Sequence, residues 1–503
     1  MKSSFSTRAV AFLASAALLA LTACSAGSGT SSGSTPGGDQ NLSIGLVAEP
    51  ASLDFTTTDG AAIPQALLGN VYETLVKQDD SGKIVPALAK SWTVSPDRKT
   101  YTFDLADNAK FTNDKPFTAN DAVFSINRVK TAWTTSLKAA MEVVASAKAL
   151  SPTQLQVTLT KPSNDWLFRM TTRIGAMFSE SGVSALATAP VGTGPFKFSK
   201  WNRGDSIVLT RNDGYWSTKP FFQQITLKYF KDATALNNAL LTGTINVIGT
   251  VQAPEALSQF TSNDKYQVIE GTTNGEVLLS FNNSRPAMAD LQTRQAIRMA
   301  IDHKALLDTC WAGRGKLIGS MVPPTDPWYE DLTGVAPFDL AKAKSLLQAS
   351  GAAGKTFRLR LPTLPYATSC GQVVKSQLEQ AGLKVQIDQL EFPAAWLTTV
   401  FKNADYDMSI VAHVEPRDLG AVFNAKYYTR YNDPTLQGYL AAADAGDEAA
   451  QVDNMKKAAK RLSEQAAGDW LFLLPNLMVA DKGVKGLPTN AITENFDLSK
   501  LAR

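Results

Sequence analysis

Few residues of this chain are equipped for catalysis or metal binding. Only His303 and His413 offer imidazole, and only Cys24, Cys310 and Cys370 offer a thiol. Two imidazoles are too few for a metal held by histidine alone, so no metal or cofactor is expected. Beyond residue 40 no Gly-x-Ser-x-Gly elbow, His-Glu-x-x-His helix or Cys-x-x-Cys pair occurs, and the common hydrolase, metalloprotease and redox arrangements are not indicated. Gly351-Ala352-Ala353-Gly354-Lys355-Thr356 ends as a phosphate loop does, but Ala349 stands where the leading glycine belongs. The segment also passes from a helical pattern into a strand pattern. A phosphate loop runs the other way, so that amides at a helix start can hold the anion. His303 falls in a helical stretch, Met299 to Leu307, and reads as a surface or hydrogen-bonded side chain.

Cys24 has a more definite chemistry. Lys2 and Arg8 make a basic start, Ala9 to Leu21 are apolar, and small residues lead to the cysteine in Leu21-Thr22-Ala23-Cys24. That is the pattern of an export signal, and its last four residues resemble a bacterial lipobox, whose cysteine becomes the first mature residue and carries lipid. Ser25 to Gly38 is nearly all Ser, Gly, Thr and Pro, the composition of a flexible tether. The expectation is a lipoprotein signal peptide over residues 1–23, a tether over 24–39, and a protein held by lipid at the extracytoplasmic face of the cell membrane. With Cys24 acylated, Cys310 and Cys370 are one even pair in an oxidising compartment. They form a disulfide or stay two separate buried thiols, because spacing alone gives no distance.

The remaining 464 or so residues must position any site, and their patterns are mixed α/β. Net charge is +3 over 503 residues and near +1 once Lys2 and Arg8 are removed, without the basic stripe a nucleic-acid partner needs. No later run approaches the ~18 apolar residues of a spanning helix. The length predicts two or three lobes, since single cores rarely grow beyond about 300 residues. Asn41 to Val47 reads as a first strand. Tyr101, Phe103 and Leu105 alternate with polar neighbours, a half-buried strand. Thr118 with Asp121 forms a capping box for a helix whose inner face is Ala122, Ile126 and Val129. Phe196 and Phe198, then Ile207 and Leu209, flank Asn202-Arg203-Gly204-Asp205 as a hairpin. Asp290 and Asp339 start helices, Gly351 and Gly468 follow helix ends, and Trp470 to Leu474 reads as a short buried strand. Trp92, Tyr101, Phe111 and Trp201 read as core.

Four stretches carry a family resemblance. Pro86-Ala87-Leu88-Ala89-Lys90-Ser91-Trp92 leads through Thr100-Tyr101-Thr102-Phe103 to Ala119-Asn120-Asp121-Ala122-Val123-Phe124-Ser125. Gly192-Thr193-Gly194-Pro195-Phe196 precedes Arg211-Asn212 and Tyr215-Trp216. Phe281-Asn282 precedes Arg294-Gln295-Ala296-Ile297 and Ala300-Ile301-Asp302, and Phe338-Asp339 opens Ala343-Lys344-Ser345-Leu346-Leu347. In this order the stretches resemble the extracellular solute-binding proteins of family 5, the peptide, nickel and opine group that serves ABC importers.

The resemblance implies a two-lobed α/β fold of the periplasmic-binding-protein type (type II, cluster C) with an inserted α/β domain. Its expected boundaries are 40–77, 190–275 and 475–503 for the first lobe, 78–189 for the inserted domain and 276–474 for the second lobe. It implies a monomer with no enzymatic activity that closes on a peptide in the cleft and delivers it to permease subunits. Peptide-binding relatives meet the ligand's amino terminus with an acid in an Asp-Tyr-x-Asp-Pro stretch. The corresponding segment here is His413-Val414-Glu415-Pro416-Arg417-Asp418. Glu415 and Asp418 keep two acids three apart amid different neighbours, and the segment also reads as a solvated turn. Dipeptide-specific relatives carry Arg before Pro-Tyr where this chain has Leu364, which disfavours a narrow dipeptide binder. Tyr366, Trp396, Tyr427 and Tyr428, with Arg417 and His413, complete the candidate ligand-binding set. A non-peptide solute (a metal chelate, opine, sugar or antibiotic) and an exported hydrolase remain the alternatives.

Overall fold

The alternation at Tyr101, Phe103 and Leu105 places all three side chains in the core of strand Thr100–Leu105. The structure, a computed structural model, describes residues 40–503. The export segment, Cys24 and the tether lie outside the described residues. Thr100–Leu105 belongs to a four-stranded antiparallel sheet with Ala89–Val94, Gln154–Leu159 and Val144–Ser151. Helix Ala119–Ala132 covers it. Asp121 accepts from the Thr118 amide at 2.9 Å, and Ala122, Ile126 and Val129 are buried beneath the helix.

The second sheet has ten strands. In spatial order they are Lys384–Leu390, Thr356–Pro362, Met408–His413, Tyr266–Phe281, Gly468–Asp481, Val247–Ile248, Asn41–Leu46, Gln224–Tyr229, Ser206–Arg211 and Phe196–Asn202. The last two form the expected hairpin. Tyr266–Phe281 and Gly468–Asp481 are antiparallel and run through the middle, 16 and 14 residues long. Their pairing slips between Thr272 and Glu276. On one side of that slip Tyr266, Leu477 and Val479 pack into one apolar cluster. On the other, Val277, Leu471 and Phe472 pack into a second with helices Leu291–Ala300 and Pro365–Gln380.

Other motifs have packing reasons. A Cβ on Gly192 would sit 1.9 Å from the Val71 carbonyl oxygen, and one on Gly194 2.3 Å from that of Asn70. Only glycine lets the two backbones meet. Thr193, Tyr215 and Trp216 all donate to the buried Glu73 carboxylate, at 2.8, 2.7 and 2.9 Å. Burial pushes Glu73 up, and these three donors pull it back. Arg294 is buried and donates to the carbonyls of Met288, Ala289, Gln465 and Ala466.

Asp290 and Asp339 cap helices as expected, and Gly351 takes a positive φ of 66° after Leu340–Ala349. The segment after Gly351 enters strand Thr356–Pro362, as a turn and not a phosphate loop. Three expectations change. Gly468 opens a strand; the preceding helix ends at Glu464, and Ala466 makes the left-handed turn at φ 46°. Trp470 to Leu474 is only part of that strand, which continues through Pro475 because Tyr266–Phe281 runs beside it over its whole length. Met299 to Leu307 is broken at Ile301, and Asp302 caps a new helix, His303–Cys310. His303 is satisfied, with Nε2 3.0 Å from the Asp469 carboxylate. Cys310 and Cys370 are joined by a disulfide. No described helix is long and apolar enough to cross a membrane.

Candidate functional site

A cavity of about 2340 Å³ opens where the two halves of the large sheet meet. His413 ends strand Met408–His413 and pairs in register with Glu276 on Tyr266–Phe281. The chain then turns at Pro416 and Arg417, whose φ is 56°, and enters the short helix Leu419–Val422. This turn brings His413, Glu415 and Asp418 together, so that one donor atom from each lies within 4.8 Å of the others. All three line the cavity.

His413 is held at both nitrogens. Nε2 lies 2.8 Å from the Tyr428 hydroxyl, and Nδ1 lies 3.5 Å from Asp418. The two rings stack at 5.8 Å. Glu415 faces Arg173 at 3.3 Å, and Arg173 is bound more tightly to Glu494 at 2.7 Å. The Arg173 amide also donates to Glu494 at 2.8 Å. Arg173 is thus a buried cation between two carboxylates from distant parts of the chain.

The electrostatics follow from this packing. Burial pushes Glu415 up, but Arg173 and then His413 outweigh it and hold the carboxyl below its usual range. Burial raises Asp418; the His413 hydrogen bond opposes that, and the charge of Glu415 adds to it. Asp59, also on the wall, is raised by burial against the pull of Arg173. Glu276 lies beneath, 2% exposed, with no partner for Oε2. Burial and then the charge of Asp418 raise it strongly. Around the acid turn, the carboxyls of Asp59, Glu415, Asp418 and Glu494 share the guanidiniums of Arg169 and Arg173.

The other candidate residues divide. Tyr366, Trp396 and Tyr427 line the cavity. Tyr366 accepts from the Ala412 amide at 2.9 Å, and Trp396 donates to Ser409 at 3.1 Å. Tyr428 lies behind the wall, where it supports His413. Arg417 points away from the cavity and stacks on Phe168 and Trp328 at 4.0 and 4.7 Å. Trp92, Tyr101, Phe111 and Trp201 are not part of the wall. Arg173, Glu494, Asp59 and Glu276 escaped the sequence reading. No local pattern marks them, and Arg173 and Glu494 are 321 positions apart.

Comparison with known proteins agrees with this architecture. The chain is 32% identical over 352 residues to the nickel-binding periplasmic protein of Escherichia coli, covering 63% of this chain and 65% of that one. It is 25% identical over 372 residues to the dipeptide-binding protein of the same organism, covering 67% and 68%. Among solved structures, the Helicobacter pylori periplasmic binding protein DppA with peptide STSA superposes at a TM-score of 0.83, with 23% identity, over 92% of this chain and 97% of that one. Staphylococcus aureus NikA with Ni(L-His)2 superposes at 0.81, with 20% identity, over 92% and 100%. At these identities the structures establish the fold, which is α/β, of the type II periplasmic-binding-protein kind. The sequence profile of the bacterial extracellular solute-binding proteins, family 5, matches residues 83–429, more than half of the chain. With the cleft between two sheet halves and the profile in agreement, the chain belongs to the family 5 extracellular solute-binding proteins.

Proposed function

We propose that this protein is the substrate-binding component of an ABC importer, held outside the membrane by lipid on Cys24, and that it captures peptides by their free amino terminus. The lobes would be residues 40–77, 190–275 and 475–503 on one side and 276–474 on the other, with 78–189 inserted. The change of apolar cluster along the two long strands supports that division. The bound protein, a monomer, would then be read by permease subunits.

The observation that carries the peptide reading is the excess of carboxyls at Glu415 and Asp418. An ammonium entering the closing cleft loses water and needs an anion within hydrogen-bond reach. Glu415 shares its one ion pair with a cation that already has Glu494. Asp418 has His413 at 3.5 Å and the more distant charge of Arg169. The nickel-binding relative and the His413, Glu415 and Asp418 cluster favour a second reading, a nickel chelate as substrate. It requires His413 to give up one of its two present partners, and the ammonium reading does not.

Calorimetry with a set of free and amino-acetylated peptides separates the two. Glu415→Gln or Asp418→Asn is expected to weaken binding of free peptides at least ~30-fold, the cost of leaving a buried charge unpaired. Acetylation should weaken wild-type binding similarly and the affected variant much less. Unchanged binding of both peptide forms by both variants would sink the amino-terminus reading. Tight binding of nickel with free histidine, lost in His413→Ala, would establish the second reading instead.

A further inference from the structure

Outside the cavity, the inserted segment and the second half of the molecule meet through the ends of two helices. Helix Pro434–Ala445 leaves its last carbonyls without partners in the helix, as every helix does. Here they are served from across the cleft. Asn164 Nδ2 donates to the carbonyls of Ala443 and Gly446, both at 2.8 Å. Arg98 donates to the Ala445 carbonyl at 3.2 Å, and its other nitrogen donates to Asn164 Oδ1. In return Asp444 serves the start of helix Asn164–Arg169: Oδ1 accepts from Ser163 Oγ at 2.6 Å and from the Asp165 amide at 3.0 Å. None of these residues lines the cavity. Nearby, Arg169 donates to the carbonyls of Pro416 and Arg417, at 3.3 and 2.9 Å, beside the acid turn.

We propose that this reciprocal capping is a latch that holds the two halves closed without help from a ligand. Each side supplies what the other side's helix end lacks, so the contacts form together and break together. Because the latch touches no ligand, it changes the balance of open and closed forms, and so the affinity for every ligand by one common factor. Selectivity stays with the cavity wall. Arg169, which lines the cavity and bonds the turn that carries Glu415 and Asp418, is not part of the latch.

The latch can be tested on ligand-free mature protein, independently of what the cavity binds. Amide exchange at Asp165 reports it directly, because the acceptor of that N–H is on the opposite half. In the wild type this amide is expected to be protected. Asn164→Ala leaves both Asp165 and Asp444 in place, yet should speed exchange at Asp165 roughly tenfold, the loss of about two hydrogen bonds at the other end of a shared closure. Small-angle scattering should give a larger radius of gyration for Asn164→Ala and Asp444→Ala than for the wild type, at unchanged far-UV circular dichroism. An unprotected Asp165 amide in the ligand-free wild type would overturn the latch, and this result needs no variant to fold. A protected amide whose rate Asn164→Ala leaves unchanged would overturn the joint action of its two ends.

Discussion

Arg173 shows how a single side chain sets the character of this cleft. Its two carboxylate partners keep it strongly charged despite complete burial, and it in turn keeps Glu415 ionised. Asp326, behind the acid turn, is the reverse case. Burial raises it to about 6, with Arg417 pulling it down and Asp418 pushing it up. Folded Asp326 therefore keeps its proton over a range where the unfolded residue, at 3.8, has lost it. The native state binds more protons there, so this residue makes stability fall as pH rises from about 4 to about 6. Asp326→Asn should remove that component. In urea unfolding of the ligand-free protein, the variant is expected to gain on the wild type by roughly 2–3 kcal/mol across this window. A difference between the two that does not change with pH would contradict the assignment.

At the scale of elements, the disulfide ties the end of helix His303–Cys310 to the middle of helix Pro365–Gln380. Both helices pack in one apolar cluster, so the bond braces one half of the molecule and does not cross the cleft. It closes a loop with a sequence separation of 60. In the chain-entropy view, a loop of this length contributes about 4 kcal/mol. Replacing both cysteines by serine should lower stability by that order in guanidinium unfolding, with ligand affinity of the folded protein unchanged. Titration of the denatured, unreduced mature wild type should find no free thiol; two would rule the bond out. The Gly192-Thr193-Gly194 connection works differently: it lets one backbone pass against Asn70 and Val71 where no side chain fits.

For the whole molecule, separate apolar clusters in the two halves of one continuous sheet allow the halves to keep their own packing while the cleft changes. Such motion would bend the long central strands near the slip between Thr272 and Glu276 once the contacts of Arg98, Asn164 and Asp444 have parted. Attachment to the membrane is a separate matter. The proposed hold is the lipid on Cys24, at ~0.8 kcal/mol per buried methylene. Cys24→Ala should release the protein from membranes or block its processing, as read by fractionation. A variant cleaved normally and still membrane-bound would remove the lipid from the account.

Local chemistry was legible without coordinates. The capping box at Thr118 and Asp121, the hairpin around Gly204 and the alternation of Tyr101, Phe103 and Leu105 all depend on neighbours a few positions away, and each formed as expected. The same holds for the family motifs, whereas the meeting of His413, Glu415 and Asp418 at one turn became visible in the fold. Where an element's limit depended on a distant partner, the reading stopped short: Trp470 to Leu474 extends to Asp481 because Tyr266–Phe281 runs beside it. The turn alone could not say whether Glu415 and Asp418 face water or a cleft. That was decided by Arg173, Glu494, Asp59 and Glu276, which arrive from four separate stretches of chain. Charge and burial act through space, and only the folded molecule brings those residues within reach of one another.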